Sequence, residues 1–250
     1  VIVCHIPFAK QAKLFMFFPF WIDMAVPIFM ILTAVNYTNS SQREKHKSLS
    51  DCYTFKYVTK QIIRILPFYI ILALFETLIS NQSILHTLKQ MLTKSSFSPG
   101  SYYPIVYLQI IFILPIIYIP VLKYQEKALL LLSSIQLLLE TVWRLCEYFT
   151  DINLNTIYRL LAFRYIIFLA IGCYYVLYRH KIKKKHMILS LILGVLYIVL
   201  FCVFDIKTLL FSTWTTTSMP TILYIAPVVF FILGSNIEIK NILKRKKTIN

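Results

Sequence analysis

The sequence predicts an all-α, polytopic integral membrane protein: a helical bundle of about seven complete transmembrane helices plus a truncated first helix. Of the 250 residues, 58% are hydrophobic and only 14% are charged, and the mean hydropathy of +0.70 is too high for a soluble domain of this length. Apolar runs of about 20 residues recur along the chain, which is the length a helix needs to cross the hydrocarbon core. The sequence has no segments of about ten residues in which apolar and polar residues alternate, so it does not indicate a β-barrel.

The predicted segments alternate with connectors of two kinds. A partial segment covers residues 1–8, and complete spans are predicted at 17–37, 58–79, 102–122, 128–146, 157–178, 187–204 and 219–235. Every second connector is basic, and these hold Arg43, Lys45, Lys47, Lys56 and Lys60, then Lys123 and Lys127, then the blocks 179–185 and 240–247. Because Lys and Arg resist translocation, we expect the basic connectors on the cytoplasmic side.

The chain is predicted to be a single membrane-embedded domain over residues 1–250. It begins at Val1 inside an apolar stretch and stops at Asn250 just after a basic block, so we expect it to be truncated at both ends. No soluble domain of useful length interrupts the apolar segments. Membrane lipid is therefore an expected partner, and the plasma membrane, as a bacterial cytoplasmic membrane, is the expected location.

Several function classes have no support in the sequence. The net charge of +16 lies in blocks between apolar segments, which indicates topology rather than nucleic-acid binding. The five cysteines form no C-x-x-C pair and have no His at ligand spacing, so we predict small core residues and no metal site. P-loop, dinucleotide-binding and zincin motifs are also missing from the sequence. No bound cofactor is expected.

Ionisable residues inside the apolar spans are the first candidates for a site, because a charge at bilayer depth costs a few kcal/mol and needs a partner. With the topology above, seven of them fall in the outer half of the membrane: His5, Asp23, Glu76, Glu140, Arg144, Arg159 and Arg164. This grouping predicts a polar cavity that opens outward. For Glu76, Arg144 and Arg159, an interfacial position with the charge reaching the headgroups fits equally well.

His5 is the candidate general base, since an imidazole with a pKa near 6.5 suits proton removal from a hydroxyl near neutral pH. Asp23 could orient it, although a lone His in a helix is more often a packing residue. At the other face, Lys56, Lys60 and Arg64 recur at four-residue spacing along the start of one helix. Such a line suits phosphates, and cytoplasmic anchoring explains Lys56 and Lys60 as well.

Three stretches, taken in order, resemble the acyltransferase-3 family of membrane acyltransferases, which modify cell-surface sugars. Val1–His5 is similar to the end of that family's first helix, where an apolar run closes on a His. Ala25–Ala34 resembles an apolar segment that ends in Ser-Gly in the family. Lys60–Tyr69 resembles its basic R-x-x-R-I-x-P-x-Y stretch, and residues 101–115 are loosely similar to its fourth segment.

The resemblance implies transfer of an acyl group from a cytoplasmic CoA thioester to an acceptor at the outer face, with His5 acting in the transfer. It implies donor binding by the basic stretch, although Gln61 stands where the family usually has Arg. Pro27 stands where Asp is frequent, so a role for Asp23 depends on the polar-cavity argument alone. The family has about ten helices, so we expect further helices beyond this sequence.

These observations together predict a membrane O-acyltransferase that uses acetyl-CoA, or another acyl-CoA, to esterify a hydroxyl of a cell-wall or exopolysaccharide glycan or its lipid-linked precursor. The predicted catalytic residues are His5 and Asp23, the predicted donor-binding residues are Lys60, Gln61 and Arg64, and the predicted acceptor or cavity residues are Arg164 and Glu140. The alternative is a non-catalytic exporter or flippase of a polysaccharide or lipid-linked sugar, which would use the same polar cavity for passage.

Overall fold

The computed structural model describes residues 24–80, 83–93, 103–150, 157–158, 160–202 and 219–248. Within these ranges all regular secondary structure is helical, which confirms the predicted all-α class. The chain divides into two compact units, one made of Val1–Val35 with Ile167–Asn250 and the other of Asn36–Ile166.

The described ranges contain nine α-helices and three short 3-10 turns. The helices are α1 Ala25–Arg43, α2 Leu49–Cys52, α3 Phe55–Ser80, α4 Ile84–Thr93, α5 Tyr103–Tyr124, α6 Glu126–Thr150, α7 Ile166–Tyr178, α8 Lys184–Cys202 and α9 Ile222–Thr248. The 3-10 turns are Ala162–Tyr165, Arg179–Lys181 and Met219–Thr221.

Within the described part of the chain, four helical segments are long and apolar enough to cross a membrane, as a polytopic bundle requires. They are Phe55–Ile79, Ile105–Tyr124, Glu126–Thr150 and Ala162–Lys181, and a shorter apolar stretch covers Ile222–Ser235. The predicted spans at 17–37 and 187–204 extend into residues outside the described part of the chain. The count of about seven spans therefore stays a prediction.

The predicted span at 157–178 differs from the structure, because it is not one continuous helix. Residues 160 and 161 are not helical, Ala162–Tyr165 is a 3-10 turn, and the regular helix α7 begins only at Ile166. An interrupted backbone at membrane depth needs hydrogen-bond partners from other segments. Side chains of α5 and α6 supply them, as described below.

In both units, a hydroxyl group from a neighbouring helix donates to the carbonyl that a proline within a helix leaves without its donor. Pro115 in α5 has no N–H for the carbonyl of Ile111, four residues earlier. The Tyr57 hydroxyl of α3 donates a hydrogen bond to that Ile111 oxygen at 3.3 Å. The Tyr53 hydroxyl, just before α3, donates to the oxygen of Phe112. The freed carbonyl is thus satisfied without water.

A hydroxyl group also donates to a freed carbonyl in the other unit, between α8 and α9. Pro227 leaves the carbonyl of Leu223 without its helical donor. The Ser190 hydroxyl of α8 donates to this oxygen at 2.7 Å. Close approach of the two helices makes the contact possible, since a Cβ on Gly194 would lie 2.7 Å from the Cβ of Tyr224.

A second glycine permits the close crossing of α7 and the first part of α1. A Cβ on Gly172 would lie 2.5 Å from the backbone oxygen of Ile31 and 2.7 Å from the Cβ of Ala34. Both distances are below ordinary van der Waals contact. The two helices can therefore keep this separation only while residue 172 has no side chain.

The connector between α1 and α3 is an ordered loop built around the short helix α2. Ser48 and Asp51 form a capping box, in which the Ser48 hydroxyl accepts from the Asp51 N–H and the Asp51 carboxylate accepts from the Ser48 N–H. Backbone donation from Lys47 and hydrogen bonding to Ser48 lower the pKa of Asp51 below its ordinary value. The Tyr118 hydroxyl of α5 donates to the oxygen of His46 at 3.3 Å, which holds the loop on the bundle.

The cysteines fit the core prediction only in part. Cys52 and Cys173 are buried, as expected of small core residues, whereas Cys146 on α6 is exposed. Cys146 does not belong to the buried stripe of α6 and lies on an exposed face of that helix.

Candidate functional site

A stripe of buried residues runs along α6 and changes from apolar to charged. The buried positions follow each other at four-residue intervals, and they are Ala128, Leu132, Gln136, Glu140 and Arg144. Residues four apart are neighbours on the surface of a helix, so these buried residues form a continuous stripe along α6. Because buried polar groups are costly without partners, the charged half of this stripe has to be matched by another segment.

The matching segment is the 3-10 turn Ala162–Tyr165. The Gln136 side-chain amide donates from Nε2 to the Glu140 carboxylate at 2.9 Å and to the backbone oxygen of Arg164 at 2.9 Å. The exposed fractions of Gln136, Glu140 and Arg164 are only 0%, 2% and 3%. Glu140 interacts electrostatically with both Arg164 and Arg144. The two residues predicted for the acceptor cavity, Glu140 and Arg164, thus lie in one buried network.

Aromatic rings complete this network. The guanidinium carbons of Arg144 and Arg164 lie 5.0 Å and 4.9 Å from the centroid of the Tyr158 ring, and Arg164 lies 4.9 Å from that of Tyr165. These distances are within the range of cation–π attraction, which is strongest where water is excluded. Trp143 and Phe163 pack near Tyr158, with centroid separations of 5.7 to 6.0 Å among the three rings.

The formal charges in the network balance. Arg144 donates to Glu147 one turn along α6, and Glu140 lies in the field of Arg164 and Arg144. Two guanidinium groups are therefore matched by two carboxylates, which lowers the cost of placing four charges in an apolar bundle. The segment presents hydrogen-bond donors, acceptors and aromatic faces together.

Gln109 on α5 holds the interrupted backbone from the other side. Its Nε2 donates to the oxygen of Leu160 at 2.5 Å, and its Oε1 accepts from the N–H of Ala162 at 3.0 Å. Gln109 and Gln136 thus replace hydrogen bonds that a continuous helix would make within itself. This is the physical reason why the span predicted at 157–178 can be interrupted.

The three residues predicted to bind the acyl donor lie on different sides of α3. Gln61 faces α5, where its Oε1 accepts from the Tyr107 hydroxyl at 3.1 Å. Lys60 and Arg64 are exposed, and Arg64 is close enough to Tyr107 to interact with it electrostatically. An amide can accept this hydrogen bond and a guanidinium cannot, which accounts locally for Gln61.

The exposed side of α3 is basic at its start and apolar beyond. Lys56, Lys60 and Arg64 are all exposed, and the same side continues through exposed apolar residues that recur at helical spacing. These are Ile63, Ile71, Leu74 and Leu78. A surface of this kind suits a phosphate at the membrane boundary with apolar chains below it.

The predicted catalytic residues His5 and Asp23 lie outside the described residues, and so does Arg159. Their proposed roles stay predictions. Sequence reasoning did not single out Gln109, Gln136 or Tyr158 as site residues. The spacing Gln136, Glu140, Arg144 was a usable signal, because three polar residues four apart in an apolar run share one face.

Comparisons with known proteins address the chain as a whole. The model of the acyltransferase-3 family, an acyltransferase domain, matches residues 1–250. Comparisons with curated proteins and with solved structures gave no match. The family match covers the length of the sequence, and the apolar helices described above agree with a membrane enzyme. The chain therefore belongs to the acyltransferase-3 family, and it is a membrane acyltransferase.

Proposed function

We propose that the protein is an O-acyltransferase that moves an acetyl group from cytoplasmic acetyl-CoA to a hydroxyl of a cell-surface or exopolysaccharide glycan, or of its lipid-linked precursor. The observation that carries the proposal is the buried network of Glu140, Arg144, Arg164 and Tyr158 inside an apolar bundle. Membrane proteins keep charges at such depth where substrates bind or pass.

The composition of the network favours a neutral, hydroxyl-rich acceptor. Carboxylates accept hydrogen bonds from sugar hydroxyls, guanidinium groups donate to them, and aromatic faces pack against the apolar side of a sugar ring. Because Arg144 and Arg164 are already matched by Glu147 and Glu140, the network offers no net charge for an anion. In this proposal Glu140 and Arg164 contact the acceptor.

The acyl donor would be held at the start of α3. Lys60 and Arg64 are exposed on one side of the helix and could bind the phosphates of CoA. Gln61 would act differently from a basic residue, since it holds α3 against α5 through Tyr107. The positive-inside rule predicts that this end of α3 lies at the cytoplasmic face, and in this proposal acyl-CoA binds from that side.

The proposed chemistry is direct transfer. His5 would take the proton of the acceptor hydroxyl while its oxygen attacks the thioester carbonyl carbon, with Asp23 orienting the imidazole. A cationic group would stabilise the oxyanion of the tetrahedral intermediate. The carbon–sulfur bond then breaks, and the protonated His5 returns the proton to the leaving CoA thiolate. The products are an O-acetyl ester and free CoA.

The test is acetyl transfer in membrane vesicles supplied with radiolabelled acetyl-CoA at the cytoplasmic face. The variants are His5→Ala, Arg164→Met and, as the matched control, His180→Ala, which changes an exposed His in the basic connector before α8. At equal membrane levels, the first two should lose ester formation and the control should retain it. Full activity of His5→Ala would refute the assigned mechanism.

The exporter alternative predicts a different result in cells. Loss of an exporter removes surface polymer while the ester content per sugar is unchanged, and the phenotype does not depend on acetyl-CoA. Loss of a transferase removes acetyl signals from the proton NMR spectrum of the purified polymer at unchanged polymer yield. One gene deletion therefore distinguishes a transferase from an exporter.

A further inference from the structure

The interrupted segment before α7 is held by a side chain that the mechanism above does not use. Gln109 is half-buried on α5, and both ends of its amide group contact the backbone of this segment. We propose that Gln109 is a positioning residue, which places Arg164 and Tyr158 for the acceptor by fixing the backbone from Leu160 to Ala162. This inference relies on the acceptor role proposed for Arg164.

The two contacts need a hydrogen-bond donor and an acceptor at the end of one side chain. The oxygen of Leu160 needs a donor at 2.5 Å, and the N–H of Ala162 needs an acceptor at 3.0 Å. A primary amide carries one donor group and one acceptor atom on the same carbon, which matches this pair. A carboxylate offers two acceptors and would repel the Leu160 oxygen. A thioether offers neither contact of comparable strength.

The position of Arg164 depends on this backbone. Ala162 begins the 3-10 turn that carries Arg164, so a shift at Ala162 moves the guanidinium directly. Gln136 holds the same turn at the oxygen of Arg164, at 2.9 Å. With one tether from α5 and one from α6, the turn is fixed at two points, although it makes few hydrogen bonds of its own.

Two substitutions separate positioning from simple packing. Gln109→Met keeps the size of the side chain and removes both hydrogen bonds. Gln109→Glu keeps them only while the carboxyl is protonated, since a neutral carboxylic acid donates one hydrogen bond and accepts another. Ionisation turns the donor into an acceptor and breaks the bond to Leu160. The matched controls are Gln42→Met and Gln42→Glu at the exposed end of α1.

The experiment measures steady-state acetyl transfer at several pH values, together with hydrogen–deuterium exchange of the segment 160–165, in protein reconstituted into lipid. For Gln109→Met we expect kcat/KM for the acceptor to fall by roughly tenfold or more, with KM for acetyl-CoA unchanged, because displacement of about 1 Å can cost that much or more. Exchange at Ala162 should be faster than in the wild type.

For Gln109→Glu we expect activity close to wild type at low pH and a loss as the pH rises through the pKa of the new carboxyl. The charged groups on the elements around α5 include Arg64, Glu140 and Arg164. All three are also present in the wild type and in Gln42→Glu, so the comparison with these two proteins isolates the effect of the new carboxyl. If Gln109→Met fails to accumulate, the inference is tested with Gln109→Glu alone. Its acetyl-transfer activity in a single preparation should fall as the pH is raised and return when the pH is lowered again.

Three results would overturn the inference: unchanged exchange at Ala162 in Gln109→Met, unchanged acceptor kcat/KM despite faster exchange, or a pH profile of Gln109→Glu that parallels that of Gln42→Glu. Failure of the proposed function looks different. In that case the wild type itself forms no ester, while the exchange measurement still reports whether Gln109 holds the backbone.

Discussion

The close crossing of α1 and α7 predicts opposite effects for the same substitution at two glycines. Gly172 and Gly234 both lie inside helices, α7 and α9. A Cβ at Gly172 would lie 2.5 Å from the Ile31 oxygen, against a lower limit of 3.4 Å for ordinary contact, a shortfall of about 0.9 Å. Among the described residues, the atom nearest to a Cβ at Gly234 is an Arg179 nitrogen at 3.6 Å.

The magnitudes follow from two opposing effects. Replacing Gly by Ala within a helix gains about 0.5–1 kcal/mol from helix propensity, and both sites share this gain. Only Gly172 also meets a steric cost, which for an extra carbon in a packed contact is about 1–3 kcal/mol. The contact atom is a backbone oxygen, so a side-chain rotation cannot relieve it. We expect Gly172→Ala to be less stable than Gly234→Ala by about 1–3 kcal/mol.

The assay is thermal unfolding of the detergent-solubilised protein, followed by intrinsic fluorescence. At roughly 2–4 °C per kcal/mol for a chain of this size, the melting temperatures of the two variants should differ by several degrees. Gly234→Ala should melt at or above the wild type. If Gly172→Ala melts together with Gly234→Ala, α1 and α7 do not approach as described, and the packing argument fails.

Three further substitutions test other contacts. Ser190→Ala should lower the stability by about 0.6 to 1.7 kcal/mol, because the oxygen of Leu223 loses its donor; an unchanged melting temperature would contradict a stabilising role for this hydrogen bond. Asp51→Asn should weaken the α2 cap at neutral pH. Because the pKa of Asp51 is lowered in the folded state, its carboxylate stabilises the loop at pH values above the ordinary value of 3.8, and this stabilisation is lost as the pH falls below 3.8. The protection of the loop against hydrogen exchange should therefore fall in acid in the wild type but not in Asp51→Asn. Glu140→Ala should destabilise the fold by roughly 1–3 kcal/mol, because the buried Gln136 amide loses the carboxylate to which it donates. Glu76→Ala, at a half-buried site on α3, is the control and should have a smaller effect on the melting temperature.

The apolar helices were predictable because hydropathy alone specifies them. The span predicted at 58–79 corresponds to α3, Phe55–Ser80, and that at 128–146 to α6, Glu126–Thr150. The ends differ by a few residues, since helices continue past the membrane boundary into polar residues that hydropathy excludes. At α1 the helix continues to Arg43 rather than ending at residue 37, as polar residues can extend a helix outside lipid.

The interruption before α7 was not predictable from the local sequence. Residues 157–178 contain no Pro and only one Gly, at position 172, well after the break. The break depends instead on Gln109 and Gln136, which are distant in sequence and replace the missing helical hydrogen bonds. A tertiary contact of this kind leaves no periodic signal near residue 160.

The candidate site was predictable where it is charged and was missed where it is neutral. Glu140 and Arg164 were singled out because an ionisable group in an apolar run is expensive. Gln109 and Gln136 carry neutral amides, which cost less in an apolar run than a charge does, so they were not predicted as site residues. Their amides nevertheless hold the backbone that carries Arg164. Tyr158 was missed because tyrosines are frequent in this chain, 17 in all, and their type gives no indication of which one contacts a guanidinium.

The hydroxyl groups that donate to the carbonyls of Ile111 and Leu223 also limit how these helices can slide. The 2.7 Å bond from Ser190 to the Leu223 oxygen ties α8 to α9 at one register, and Tyr57 ties α3 to α5 in the same way. A slip of even one residue along a helix, about 1.5 Å, would break such a bond and leave the carbonyl unsatisfied in lipid. A piston-like displacement within either pair is therefore disfavoured.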